Sequence, residues 1–165
     1  MNNKITFAIR LIAPALAGAF LGSGCASVPA GDPEANYPVE RAQIEHRLKE
    51  VFAAAAAKDF SRLDGYHFYG PKFTKFSGSS AERLDANAGR KGEHEGLGAI
   101  NGLKMRADAL KIDVFDNVGI ATFILDYSFD SAGVNRHARE RTTMVLVKES
   151  GAWKIAHEHL SPIKP

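Results

Sequence analysis

The chain closes on "WKIAHEHLSPIKP", residues 153–165, where His157 and His159 stand two apart with Glu158 between them. Imidazole exchanges a proton near neutral pH, so a pair of histidines on one strand face is a candidate for acid–base catalysis. The same spacing lets both rings reach one zinc ion if a third ligand is supplied. His67, His94, His137 or an acid could be that third ligand, and the spacing selects none of them, so no metal site is assigned. Ser161 follows the pair without a nucleophile-elbow motif, which leaves a hydrolase triad without support. Tyr66, Tyr69, Tyr127 and Arg141 offer hydroxyl or cationic donors suited to a carbonyl or carboxylate. The stretch "GRKGEHEGLGAING" has five glycines in fourteen residues and reads as a loop. It lacks the strand–glycine–helix order and the lysine–hydroxyl pair of a phosphate loop, and no cofactor is expected.

These side chains must be held by a framework, and the framework begins with a helix. In "PVERAQIEHRLKEVFAAAAAKD", Ile44, Leu48, Val51, Phe52 and Ala55 form one apolar stripe at helical spacing. Pro38 fits its first turn, and Ala53–Ala57 supports helix by propensity. Asp59 can cap a second short helix through "DFSRLDG". "YHFYGPKFTKF" has the aromatic density of a strand interrupted at Gly70-Pro71, and "SSAERLDANAG" carries a capping-box pattern from Ser79 to a stop at Gly89. Four strands follow, "LKMRADALKIDVF", "VGIATFILDYSF", "VNRHARERTTMVLVK" and "AWKIAHEHL", separated by short turns rich in Asp, Asn, Ser and Gly. Such connections imply an antiparallel meander, and helices followed by strands imply an α+β domain with the helices on one sheet face.

Alternation assigns the faces. Ala121, Phe123, Leu125, Tyr127 and Phe129 share one side of the second long strand, opposite Ile120, Thr122, Ile124 and Asp126. In the last strand, strict alternation places Trp153, Ile155, His157 and His159 together and inward.

Before the domain lies a targeting-type segment. Residues 1–24 have a short basic head (Lys4, Arg10) and an apolar run, Leu11–Leu21, too short for a membrane-spanning helix. The segment resembles a bacterial lipoprotein signal in which Cys25, the single cysteine, is acylated, although Gly22 stands where such signals usually carry leucine. Cleavage after Ala30 is the alternative. The expected organisation is a signal peptide at 1–24, a flexible tether at 25–38 and one domain at 39–163. The expected location is the periplasmic side of the outer membrane on a lipid anchor, or a soluble periplasmic or secreted form. The chain has 21 basic and 19 acidic residues, and without the two bases of the first 24 residues the balance is even. A neutral domain lacks the positive field that nucleic acid binding requires.

"FAAAAAKDFSRL" together with "RTTMVLVKESGAWKIAHEHLS" resembles the nuclear transport factor 2-like (NTF2-like) superfamily, in its SnoaL-like, ketosteroid-isomerase-related branch. The resemblance implies a cone-shaped fold with N-terminal helices packed on a highly curved antiparallel sheet. It also implies an apolar pocket for a small hydrophobic molecule and a homodimer formed through the sheet. In that frame His157 and His159 face the pocket, Asp64 takes the position nearest a catalytic base, and Tyr66 or Tyr69 replaces a first-helix tyrosine that Pro38–Lys58 lacks. Asp126, with parity opposite to the apolar row, does not fit the strand acid of a steroid isomerase. The functions implied are a small-molecule-binding envelope protein, a proton-transferring lyase or isomerase of cyclase or dehydratase type, or a dimeric assembly domain.

Overall fold

The structure, a computed structural model, describes residues 35–78 and 80–164. The expected signal peptide, Cys25 and most of the tether lie outside the described residues. No helix among those described is long and apolar enough to cross a membrane.

Helix α1 spans Pro38–Ala57 and buries Ile44, Leu48, Val51 and Ala55 of the stripe read from the sequence, together with Ala54, while Phe52 is only partly buried. Lys58 ends it in the left-handed region, and its amine reaches Gly98 O at 3.3 Å and Asn101 Oδ1 at 3.1 Å. Asp59 caps the short α2, Phe60–Gly65, by accepting the Arg62 N–H. The next helix differs from the expectation. Helix α3 runs Ala86–Gly98, straight through the glycine-rich stretch, and Asp85 caps it by accepting the Ala88 N–H. Ser79 of the capping-box reading lies outside the described residues, but the helix expected from it does not form: the Ser80 hydroxyl accepts from Glu82 N–H in a local turn, while Leu84 bridges back to Lys75. Each interior glycine costs a helix up to about 1 kcal/mol. Tertiary packing outweighs that cost: at Gly89 a Cβ would lie 2.9 Å from the Phe73 ring, so the small residue lets α3 approach.

The strands are β1 (Thr74–Phe76), β2 (Asn101–Phe115), β3 (Val118–Ser131), β4 (Val134–Glu149) and β5 (Ala152–Pro162), in the order β1-β5-β4-β3-β2. Strands β2 to β5 form the expected meander, but β1 joins β5 in parallel, which makes the sheet mixed and five-stranded. The cone-shaped expectation is corrected here. The sheet is neither closed nor strongly curled: β1 pairs only with β5, β2 pairs only with β3, and the two edges remain apart. Bulges bend individual strands without bringing those edges together.

Two of these bulges set which residues face the core. In β2, Asp108 faces Ile124 and Lys111 faces Thr122, so Ala109 (φ 52°) is part of an inserted step. Leu103 and Met105 before it and Leu110 and Ile112 after it all pack on the core despite opposite parity. In β5, Ile155 faces Leu146 and His157 faces Val145, which leaves Ala156 as the extra residue. The core joins α1 to the inner face through Ile44, Leu48, Phe123, Leu146, Trp153 and Ile155. The helix sits so close at Gly119 that a Cβ there would fall 2.3 Å from Ile44 Cδ1. The other sheet face carries Ile120, Thr122, Ile124 and Asp126, a mixed surface compatible with assembly through the sheet.

Candidate functional site

The bulge at Ala156 changes the chemistry of β5. Past it, Glu158 turns inward and is 3% exposed, whereas His159 is exposed. Strict alternation therefore misplaces both histidines. The His157 Nδ1 atom lies 2.8 Å from the Thr74 hydroxyl, and Phe76 packs against both rings on the outer face.

Glu158 enters a closed ionic cluster built from four segments. Directly after α2 the chain runs beside β5: Ile155 N–H donates to Tyr66 O at 2.9 Å and Phe68 N–H to Ile155 O at 2.7 Å. This fixes His67, which bridges Ile155 and is 3% exposed. Its Nδ1–H donates to Leu63 O at 2.9 Å, and its ring stacks on Tyr69 at 4.8 Å. On the middle residue of β1, the Lys75 amine lies 2.7 Å from Glu158 Oε2 and 3.0 Å from Glu93 Oε1. Glu93 comes from α3 and also accepts the Tyr69 hydroxyl at Oε2, at 2.9 Å. His67 Nε2 points at the remaining oxygens, 3.5 Å from Glu158 Oε1 and 3.8 Å from Glu93 Oε2.

Burial and pairing compete in this cluster, and pairing prevails for each charged group. Burial would raise the Glu158 carboxyl, but Lys75 and His67 hold it far below the usual carboxylate range. Burial would lower Lys75, yet Glu158 and Glu93 raise it above an ordinary lysine. His67 follows the same pattern: desolvation disfavours its charge, and the two carboxylates outweigh it and raise the pKa. Tyr69 is pushed far up by burial and by Glu93, so it remains a hydroxyl donor.

A cavity of about 400 Å³ opens between α3 and the sheet. Most of its wall is apolar, from Leu97, Leu103, Met105, Leu125, Phe129 and Leu160. Five polar side chains share that wall: Lys75 and Glu93 from the cluster, Ser77 just after β1, and Tyr127 and Glu140 from β3 and β4. Burial raises the Glu140 carboxyl above its usual value, against the lowering effects of Lys75 and of its hydrogen bond to Tyr127. Tyr127 in turn is raised, first by burial and then by Glu140. An apolar cavity with a few convergent polar groups, one of them a carboxyl tuned toward neutrality, is equipped to bind a small molecule and move a proton on it.

Of the residues singled out by sequence, Tyr127 lines this cavity and Tyr69 supports it through Glu93. The others among the described residues lie elsewhere. Asp64 sits at the α2–α3 seam, 2.8 Å from His94 Nε2 and 3.7 Å from Arg90 Nε. Tyr66 packs beneath the Arg47 guanidinium at 4.5 Å and accepts from Arg62 at 3.0 Å. Arg141 is exposed on the outer sheet face because inward residues of β4 have even numbers, as Thr142, Met144 and Leu146 show. His137 pairs with Asp126 at 3.1 Å on that same outer face. Sequence reasoning missed Lys75, Glu93, Glu140 and Glu158. One signal for Glu158 was available, since Trp153 and Ile155 are odd-numbered and Leu160 is even-numbered, a parity change that marks a bulge.

A family model for the SnoaL-like domain matches residues 44–165. Solved structures share the fold. A candidate dehydratase of the NTF2-like family from Streptomyces avermitilis has a TM-score of 0.70 at 12% identity, covering 77% of this chain and 98% of its own. An NTF2-like superfamily protein from Salmonella enterica scores 0.67 at 16% identity, covering 77% and 93%. The calmodulin-dependent kinase hub homology domain of Chlamydomonas reinhardtii scores 0.64 at 16% identity, covering 76% and 98%. No curated protein matches the chain.

Proposed function

The chain belongs to the SnoaL-like domain family, and on that premise we propose that it is a lyase or isomerase moving a proton on a small hydrophobic carbonyl compound. The observation that carries this reading is the placement of Glu140, Tyr127 and Lys75 on the wall of one apolar cavity. Glu140, raised by burial, is a stronger base than an ordinary carboxylate and takes the proton alpha to the carbonyl. The Lys75 ammonium and the Tyr127 hydroxyl stabilise the negative charge that develops on the carbonyl oxygen. Glu93 and Glu158 fix the Lys75 amine in place. Likeness to the candidate dehydratase carries the fold alone, so the reading rests on these side chains.

Solvent exchange tests it without knowledge of the natural substrate. A panel of small cyclic and open-chain ketones is incubated with the protein in heavy water, and deuterium at the alpha carbon is read by mass spectrometry. The wild-type protein should accelerate exchange for at least one compound, and Glu140→Gln should slow it by about 100-fold or more. A ketone that perturbs the Leu125 and Leu160 methyl resonances yet exchanges no faster than in buffer would refute the catalytic reading and leave a binding pocket.

Two further elements of this proposal come from the sequence. The "LGSGC" segment supports an exported lipoprotein acylated at Cys25 and facing the periplasm. Metabolic lipid labelling tests this directly: label retained in Cys25→Ser removes the claim. The mixed outer sheet face supports a homodimer.

A further inference from the structure

From the same cluster we infer that His67, Glu93 and Glu158 form a binding site for one divalent zinc ion, a reading independent of the proton-transfer proposal. Each carboxylate is split between two tasks. Glu93 Oε1 and Glu158 Oε2 hold Lys75, at 3.0 and 2.7 Å, while Glu93 Oε2 and Glu158 Oε1 face His67. One ligand atom from each of the three residues lies within 4.8 Å of the other two.

The histidine supplies the independent observation. Its side chain is fully buried, and Nε2 makes no hydrogen bond of full geometry among the described residues: its contacts are the two long ones to Glu158 Oε1 at 3.5 Å and Glu93 Oε2 at 3.8 Å. Contacts that long leave a buried ring nitrogen poorly satisfied, and a metal ion between it and the carboxylates would satisfy all three. Its other nitrogen is already committed: Nδ1–H donates to Leu63 O at 2.9 Å. That bond aims Nε2 at the carboxylates, the arrangement that orients histidine ligands in metal sites, and zinc would take the place of the proton that the carboxylates favour there, releasing it to solvent. Glu93 is likewise supported from outside by the Tyr69 hydroxyl at 2.9 Å.

Distances and ligand types point to zinc. Imidazole and carboxylate are both zinc ligands, at about 2.0–2.2 Å, which separates tetrahedral ligand atoms by roughly 3.4 Å. The two histidine–carboxylate separations, 3.5 and 3.8 Å, already lie within half an ångström of that edge. Glu93 is the least buried of the three and lies on a helix, so a rotation of its side chain completes the approach. The site ties together the segment after α2, α3 and β5, three parts of the chain remote in sequence.

The test uses the full chain, dialysed against a chelator and titrated with zinc chloride by calorimetry, with cobalt chloride as a spectroscopic probe. One zinc per chain at about micromolar affinity or tighter, a visible cobalt absorption band and a raised Tm are expected. Glu93→Gln should weaken binding by at least about 100-fold, the upper end of what supporting residues alone contribute, and His67→Gln should do the same. Because His67 is buried, Glu93→Gln is the variant that keeps the test decisive if His67→Gln does not fold. Glu140→Gln should bind zinc as the wild type does, which separates this site from the proposed catalytic carboxyl. Stoichiometry well below one, unchanged affinity in Glu93→Gln, or loss of binding in His157→Asn or His159→Asn instead would overturn the assignment.

Discussion

Lys75 and Glu158 meet at 2.7 Å with almost no solvent around them, so the contact behaves differently from a surface ion pair. Removing one partner strands the other charge in the interior, and Glu158→Gln should destabilise the fold by about 3–5 kcal/mol in chemical denaturation. Replacing both, as in Lys75→Met with Glu158→Leu, should cost less than the sum of the single changes; strict additivity would show that the pair is not coupled. Glu140 gives a second test at this scale, with the sign set by its environment. Its pKa is raised in the fold, so its contribution to stability is fully present below the unfolded carboxyl value and is lost as pH rises through the folded value. Glutamine never acquires the charge. The Tm advantage of Glu140→Gln over the wild type should therefore be absent near pH 4 and grow toward pH 8 in thermal melts. A difference independent of pH would mean that the carboxyl is not desolvated. At this scale the sequence was least legible. Tyr69 and Tyr127 could be picked out by type, but Glu158 was hidden by one inserted residue, and Glu93 by the glycines around it.

Helices and strands were more readable, because periodicity survives wherever no bulge interrupts it. The α1 stripe, the Asp59 cap and the four meander strands all follow from spacing and turn residues. Helix α3 did not, since its local propensity opposes helix and its formation depends on packing against Phe73 and pairing with Lys75. That conflict has a measurable trace. Gly92 lies inside α3 with open space where a Cβ would go, so Gly92→Ala should stabilise the protein by about 0.5–1 kcal/mol; a loop at this position would show no such gain. Gly119→Ala should do the opposite. Its methyl meets Ile44 Cδ1 at 2.3 Å, and the forced displacement of α1 should cost about 1–3 kcal/mol.

For the whole molecule, one layer of helices covers one face of an open mixed sheet, and the other face carries Ile120 and Ile124, both half-buried. If the proposed homodimer uses that face, Ile120→Lys with Ile124→Lys should give monomers in sedimentation experiments while the cavity still binds any ketone identified by exchange. Dimers that persist would place the interface elsewhere. The bulge at Ala156 has a consequence beyond this molecule. Residues are carried between distant relatives by aligning them, and a relative whose last strand lacks the insertion can be matched correctly here only with a one-residue gap at Ala156. Without that gap, the relative's pocket residue is matched to His157 and its surface residue to Glu158. An inventory of shared active-site residues compiled that way would inherit the error in every member compared with this chain.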